Sequence, residues 1–326
     1  NSDLLIVVGS RLSIPQTGYN YRAFARTARI VMVDIDSEEL KKERLNVYLP
    51  INYDVKGFLK EMNNQLIDYP KNRFNEWVRR CKDWKSRYPV VLKEYYDYKT
   101  YFNSYVFIDV LCDELSADDV IVTDMGTSFT CTFQTFKIKK GQRLFTSSGL
   151  ASMGFGLPGS IGACFANGKK RTICISGDGG LQMSIYELQT IFYHQLPIKL
   201  FVLNNQGYLA VKHHQDSNFN GHYVGADKTS GVSFPDTIKI AKAYGIKTEK
   251  ITKHKDLRDK IKMVLETSCP VVCEIVMQPK QPLIPRLASK VKVNGTMEQT
   301  PLEDMYPFLE RKEFLQNMII APFEGL

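Results

Sequence analysis

The sequence contains no C-x-x-C pair, no apolar run approaching the length of a membrane span and no signal-peptide pattern at its start. The first absence removes the paired-thiol spacing of metal and redox sites. Its seven cysteines (81, 112, 131, 164, 174, 269 and 273) stand singly, several inside apolar runs such as "TICIS". They read as buried free thiols in a reducing, cytoplasmic compartment. The second absence argues against a membrane-spanning helix within these residues, and the third means that the start is not read as a targeting segment. Runs of one charge sign are also missing. The formal net charge is +8, but the basic residues are spread along the chain. That distribution argues against a nucleic-acid partner and for a solvated surface with some attraction for anionic ligands. There is no internal repeat and no low-complexity segment. An initiator Met is absent too: "NSDLLIVVGSRL" enters a buried-strand pattern at once. A start of this kind resembles the tail of an α/β domain, so a trimmed or partial chain is expected.

What is present is ordinary for a globular protein: 326 residues, 44% hydrophobic and 24% charged, enough for roughly two domains. Residues 1–66 read as a partial, Rossmann-like α/β unit. Its strands are "LLIVV" and "ARIVMVDID", with a helix near 20–27 and another around "DVKGFLKEMNNQL". Residues 67–103 are rich in charge and aromatics and read as a helical linker. Trp77 and Trp84, two turns apart, fall on one helix face, where such a stripe is packing more often than a ligand site. Residues 104–278 alternate helices and strands, which predicts a doubly wound, mostly parallel sheet. Its crossover after "RTICISGDGG" is expected to be a helix from Ser184. Residues 279–326, beginning "PKQPLIPRL", read as an extended arm.

One stretch carries the chemistry. "ISGDGGLQMS" places a single carboxylate, Asp178, among Gly177, Gly179 and Gly180 directly after an apolar strand. A helix of about 13 residues then runs back about 20 Å, and the strand "IKLFVL" returns a similar distance. A right-handed crossover puts Asn204 and Asn205 at the same carboxyl edge of the sheet as Asp178. One carboxylate, one amide oxygen and freed carbonyls make a hard, oxygen-only cation site. It has too few protein ligands for calcium and the right few for Mg²⁺ shared with a phosphate. The glycines let backbone N–H groups approach that phosphate. Asp178 is therefore expected to hold magnesium clamped to a diphosphate. The plain alternative is a glycine turn.

A second glycine pattern competes. "GFGLPG" at 154–159 satisfies G-x-G-x-x-G, with Asp178 near the spacing of a ribose-binding acid. That acid should end a second strand, whereas Asp178 is embedded in glycines and a proline interrupts the fingerprint.

"GDGGLQMSIYELQTIFYHQLPIKLFVLNNQGY" resembles the thiamine-diphosphate motif, GDG followed by a double asparagine, of the acetolactate synthase and pyruvate decarboxylase superfamily. The resemblance runs from about Val106 to Val276, and "LLIVVGSRL…VMVDID" looks like the second half of that superfamily's central domain. It implies side-chain metal ligands Asp178 and Asn205 and a ligating carbonyl on Gly207. In "SSGLASMGFGLPGSIGA" it implies that Met153 props the bent cofactor and that the Ala151 carbonyl accepts the 4′-amino hydrogen bond. The bend brings the 4′-imino nitrogen to thiazolium C2. Gly126, Thr127 and Ser128 of "DMGTSF" suit the diphosphate, and Tyr208 joins the cofactor set. A core methionine and a hydroxyl-capped turn are the plain readings of Met153 and of "GTS". The implied cofactors are thiamine diphosphate and Mg²⁺. Flavin, which some members carry on the central domain, is left open by the half-domain present.

The resemblance also implies an activating glutamate on an N-terminal domain for which these residues hold no candidate. It would be supplied across a homodimer or homotetramer interface. "NNQGYLAVKHHQ" departs from acetolactate synthases: Ala210 and His214 stand where a Met and a Trp flank the acceptor. His214 is thus a candidate catalytic side chain, or one of an exposed pair with His213; His222 is no better placed. The implied reaction is decarboxylation of a 2-keto acid, pyruvate, with carboligation to a second carbonyl. Simple decarboxylation and a nucleotide-linked keto-sugar acceptor are the alternatives within the class.

Overall fold

The computed structural model describes residues 1–98, 100–291 and 297–323. They fall into two compact units, 1–88 with 284–326 and 89–283. Position 99 of the expected linker and positions 292–296 and 324–326 of the expected arm lie outside the described residues.

The first unit is built on a parallel sheet in the order β1 (Leu4–Val8), β2 (Arg29–Asp34), β3 (Val47–Asn52). Val7, Ile30 and Met32 bury against Leu12 and Leu45. β3 was not expected because Pro50 interrupts it, and an edge strand is where a proline is tolerated. The helix expected at 20–27 is instead a run of turns. Ala25 takes a left-handed φ of 46°, which an α-helix does not accommodate. The helix Val55–Gln65 forms as expected, with the Asp54 side chain accepting from the Gly57 N–H. In the helix Asn75–Arg87 the rings of Trp77 and Trp84 meet edge to face at 5.8 Å. They pack on each other, as the stripe suggested. The segment after Leu283 is not simply an extended arm. It carries the helix Arg311–Asn317, held by buried Phe314 and by the Asn317 side chain, which accepts from the Trp84 indole at 2.9 Å.

The second unit is a six-stranded, wholly parallel sheet. Its strands are β4 (Val120–Thr123), β5 (Arg143–Phe145), β6 (Thr172–Gly177), β7 (Ile198–Asn204), β8 (Lys247–Ile251) and β9 (Val271–Val276). The spatial order is β5-β4-β6-β7-β9-β8. The central strands are apolar on both faces, as a sheet covered by helices on both sides requires. Ile173, Ile175, Phe201 and Leu203 pack with Phe107 and Leu111 of the helix Ser104–Glu114 and with Ile261 of the helix Leu257–Glu266. The alternate residues Cys174, Leu200 and Val202 pack with Leu157 and Ile161 of the helix Gly156–Ala166. The two-residue period of a strand divides one sequence between two cores.

This winding positions the site. From β4 the chain moves outward to β5, whereas from β6 it moves the other way to β7. A crevice between adjacent strands whose connections diverge is where such sheets bind ligands, at the carboxyl ends. The β6–β7 crossover also differs from expectation. A five-residue helix, Asp178–Gln182, starts at the carboxylate itself, and a second, Leu188–His194, follows. Ser184 leaves the helical torsions between them, at φ −141°.

Candidate functional site

Asp178 sits at the divergence point with 3% of its surface exposed. Its two carboxylate oxygens accept from different segments: Oδ1 from the Gly179 N–H in the first turn of its own helix at 2.8 Å, and Oδ2 from the Gly207 N–H of the loop after β7 at 3.2 Å. Burial pushes its pKa up to about 6, opposed by those N–H bonds and by the nearby Lys212 ammonium. The register pairs Gly177 with Leu203, so the ends of β6 and β7 do share one rim.

The two asparagines at the end of β7 take different roles. Asn204 is fully engaged within the fold, donating through Nδ2 to Glu274 and accepting the Gln206 N–H through Oδ1 at 3.1 Å. Asn205 is 4% exposed, and its Oδ1 is buried without a protein donor. An orphaned acceptor of this kind costs about 1–3 kcal/mol unless something else fills the role. Gly207 is glycine by necessity: a Cβ there would fall 2.5 Å from the Ala226 carbonyl oxygen. Its strand-like bridge to Asp227 fastens the 204–207 loop to the 225–231 turn. Lys212, 4% exposed, ion-pairs with Asp227 at 3.1 Å beneath that bridge. The Thr229 hydroxyl and Lys212 hold Asp227 down at about 2.

On the β4 side, buried Asp124 collects the Met125 and Gly154 N–H groups at 2.8 and 2.9 Å and the Ser176 hydroxyl at 2.8 Å. It ties the ends of β4 and β6 to the segment carrying Ala151 and Met153. Gly126 has φ 73°, and a Cβ there would meet nothing within 4 Å. Thr127 and Ser128 open the helix Thr127–Thr135 and are buried. The Ser128 hydroxyl donates to the Met125 carbonyl at 2.9 Å, so its side chain serves the loop before the helix.

Met153 is 43% exposed and therefore not a core methionine. Ala151, also exposed, holds a left-handed φ of 54°, a conformation that costs a non-glycine residue of order 1 kcal/mol. The three glycines around Asp178 differ sharply. A Cβ at Gly179 would lie 2.3 Å from the Tyr208 ring, and one at Gly180 would lie 2.6 Å from Asp124 Oδ2, whereas one at Gly177 would enter open space. Tyr208 is thus packed on the glycine loop and edge to face with Phe234 at 5.3 Å. "GFGLPG" has its own structural cause, since Gly154 crowds Met183 and Gly156 crowds Asp124. His214 lies on the exposed side of the helix Leu209–Asn218, its ring against Phe219 and 3.2 Å from the Asn218 amide. His213 meets the Gln281 carbonyl at 2.8 Å.

Sequence reasoning did not single out Asp124, Glu274 or Lys212. A signal existed for Glu274, a lone acid within the apolar strand "VVCEIV", since a buried charge in a parallel sheet must have partners. Among the described residues no group of three or more His, Cys, Asp or Glu could hold a metal ion. The set at this rim is instead one carboxylate, one unpaired amide oxygen and backbone, which suits a hard cation that keeps water and phosphate oxygens.

Comparison with known proteins agrees with this geometry. The thiamine pyrophosphate enzyme C-terminal TPP-binding domain matches residues 124–275, and the central domain of the same enzymes matches residues 1–62. The acetolactate synthase large subunit of Cyanidium caldarium is 33% identical over 290 residues, covering 88% of this chain and 48% of the relative. The chloroplastic acetolactate synthase of Arabidopsis thaliana is 31% identical over 306 residues (92% and 45%), and acetolactate synthase 1 of Zea mays 32% over 299 (88% and 46%). The chain spans about half the length of the curated relatives it matches. With the divergence-point crevice, the buried Asp178 and the double asparagine in place, the chain belongs to the thiamine pyrophosphate enzyme family and is similar to acetolactate synthases within it.

Proposed function

We propose that this chain forms the cofactor-binding part of a thiamine-diphosphate- and Mg²⁺-dependent enzyme. The enzyme decarboxylates a 2-keto acid, pyruvate, and joins the remaining fragment to a second carbonyl compound, as the names of its relatives suggest. The observation that carries the reading is Asn205 Oδ1, buried and without a donor, two residues before the N–H that Asp178 accepts. A cation is the partner that such an acceptor beside a carboxylate lacks.

Asp178, Asn205 and the Gly207 carbonyl would hold Mg²⁺. The backbone of Gly126, Thr127, Ser128, Gly177, Gly179 and Gly180 would line the diphosphate, with Tyr208 closing the loop beside it. Bound thiamine diphosphate supplies the electron sink for loss of carbon dioxide. Ala151 and Met153, exposed on a strained turn pinned by Asp124, would orient the aminopyrimidine end. We place the activating glutamate in the part of the relatives' length that this chain does not span, contributed within a homodimer or homotetramer. His214, already bonded to Asn218 on the exposed helix face, is given no step. Among the described residues no helix is long and apolar enough to cross a membrane. Five of the seven free cysteines are buried, which supports a reducing compartment such as the cytoplasm.

The test is a titration of the full-length protein with thiamine diphosphate, with and without Mg²⁺, followed by product analysis on pyruvate. Metal-dependent binding abolished by Asp178→Ala, together with acetolactate as product, is expected. Metal-independent binding, or unchanged affinity in the variant, would refute the reading.

A further inference from the structure

The double asparagine places two amides in sequence, and only one of them has a free oxygen. The other has a buried partner on the neighbouring strand. Glu274 lies on β9 opposite Val202 of β7 and opposite Lys250 of β8. It is 3% exposed, a carboxylate inside an otherwise apolar strand. Its Oε1 takes the Asn204 Nδ2 hydrogen, and its Oε2 lies 2.7 Å from the Lys250 ammonium. The latter contact is an ion pair whose angle falls outside that of a directed hydrogen bond.

An asparagine amide can sit either way round in a site of fixed shape, and its partners decide which end is oxygen. An ionised carboxylate accepts only, so Glu274 forces the NH₂ end of Asn204 toward itself. The oxygen end must then face the loop, where it accepts the Gln206 N–H at 3.1 Å. That bond closes an Asx-type turn across Asn205 and holds Gln206 at a left-handed φ of 61°. The reversal buries the Asn205 side chain and brings the Gly207 N–H onto Asp178. The Asn204 carbonyl is separately fixed by the Met277 N–H at 2.8 Å, so the turn has a rigid base.

From this chain of contacts we infer that Glu274, acting through Asn204, is a positioning residue for the cation site, setting the amide polarity that shapes the 204–207 loop. The inference rests on the cation-site reading of Asp178 and Asn205 above. Lys250 compensates the charge of Glu274, which allows an ionised carboxylate to sit in the sheet.

The test exploits the direction of the hydrogen bond. Mn²⁺ affinity of the full-length protein, with thiamine diphosphate present, is read from the free-ion electron paramagnetic resonance signal, beside the melting temperature without metal. Glu274→Gln can still present an amide oxygen to Asn204, and its affinity should stay within about threefold of the parent. Asn204→Asp sets two acceptors face to face and should weaken Mn²⁺ about 10- to 100-fold, the usual scale for groups that orient ligands. The double variant Glu274→Gln/Asn204→Asp reverses donor and acceptor. Its introduced glutamine amide donates across the strands, and its introduced carboxylate still accepts the Gln206 N–H, so affinity should return to within about threefold. Unchanged affinity in Asn204→Asp, or a folded double variant that stays weak, would overturn the inference. If Asn204→Asp does not fold, the double variant decides alone: it must fold and bind. A parent protein that binds no Mn²⁺ would instead remove the cation-site reading itself, which separates the two failures.

Discussion

Gly207 donates its backbone N–H to the carboxylate of Asp178 at 3.2 Å, joining the loop that leaves β7 to the loop that leaves β6. The two residues are far apart in sequence, and the parallel register of their strands brings them together. That contact makes the rim one structure: a shift in either loop moves the other. It also leaves the adjacent Asn205 oxygen with no donor of its own, which suits a site finished by a ligand from outside the chain.

Asn205→Ala should therefore separate stability from binding. The variant removes a buried acceptor that no protein group satisfies, so its metal-free stability should stay within about 1 kcal/mol of the parent or rise slightly. Its Mg²⁺ affinity should fall at least about tenfold, the lower end of the scale for groups at a metal site. Chemical denaturation without metal, paired with a Mg²⁺ titration in the presence of thiamine diphosphate, checks both halves. A marked loss of metal-free stability would show that Oδ1 serves the fold.

The glycines flanking Asp178 should also behave differently from one another. Gly177→Ala puts its methyl group into open space at an ordinary φ of −86°, so folding should be nearly unaffected while thiamine diphosphate binds markedly less tightly. Gly179→Ala drives a methyl group into the Tyr208 ring and should cost about 1–3 kcal/mol of stability as well. Melting temperatures of the two variants, measured without cofactor, distinguish space kept for a ligand from space filled by the fold.

Asp124 offers a third test. Its carboxylate takes the backbone N–H groups of Met125, Gly154 and Gly156 and the Ser176 hydroxyl. Asp124→Ala leaves the Met125 and Gly154 N–H groups without their acceptor, which should cost about 1–3 kcal/mol and release the Ala151–Gly154 segment. Faster proteolysis within residues 147–154, seen by mass spectrometry of the digested variant, is the expected sign. An unchanged cleavage pattern would show that the segment is held by other contacts.

How much of this was legible beforehand follows from the range of each interaction. The crevice was readable because local periodicity gives strands and helices, and the handedness of crossovers then fixes which ends meet. Asp178 and Asn205 sit at strand ends, so their placement needed only that rule. Glu274 was not readable as the partner of Asn204, nor Lys250 as the partner of Glu274, because strand order rather than sequence distance brings β7, β9 and β8 side by side. The turns at 20–27 were missed for a local reason: apolar spacing suits a helix there, but Ala25 adopts a left-handed conformation. β3 was missed because proline is counted against a strand, and only the sheet order reveals an edge.

Lys199 supplies a prediction far from the cofactor rim. Its side chain is fully buried near the start of β7, and its ammonium is held by the carbonyl oxygens of Thr267 and Cys269, with no carboxylate among its hydrogen-bond acceptors. Burial lowers its pKa from the ordinary 10.5 to about 8. Between those values the unfolded chain binds more protons at this site than the folded one. Stability should accordingly rise with pH through that window, by up to about 3 kcal/mol for a single group at about 1.36 kcal/mol per pH unit. Below about pH 8 the site is charged in both states, and the slope should vanish. Other groups titrate in the same range, so the decisive quantity is a difference. Urea unfolding from about pH 7 to 11 should show the Lys199-dependent rise in the parent and its loss in Lys199→Met. If the two proteins keep parallel profiles, the buried ammonium retains its proton throughout, and the carbonyls of Thr267 and Cys269 compensate its burial fully.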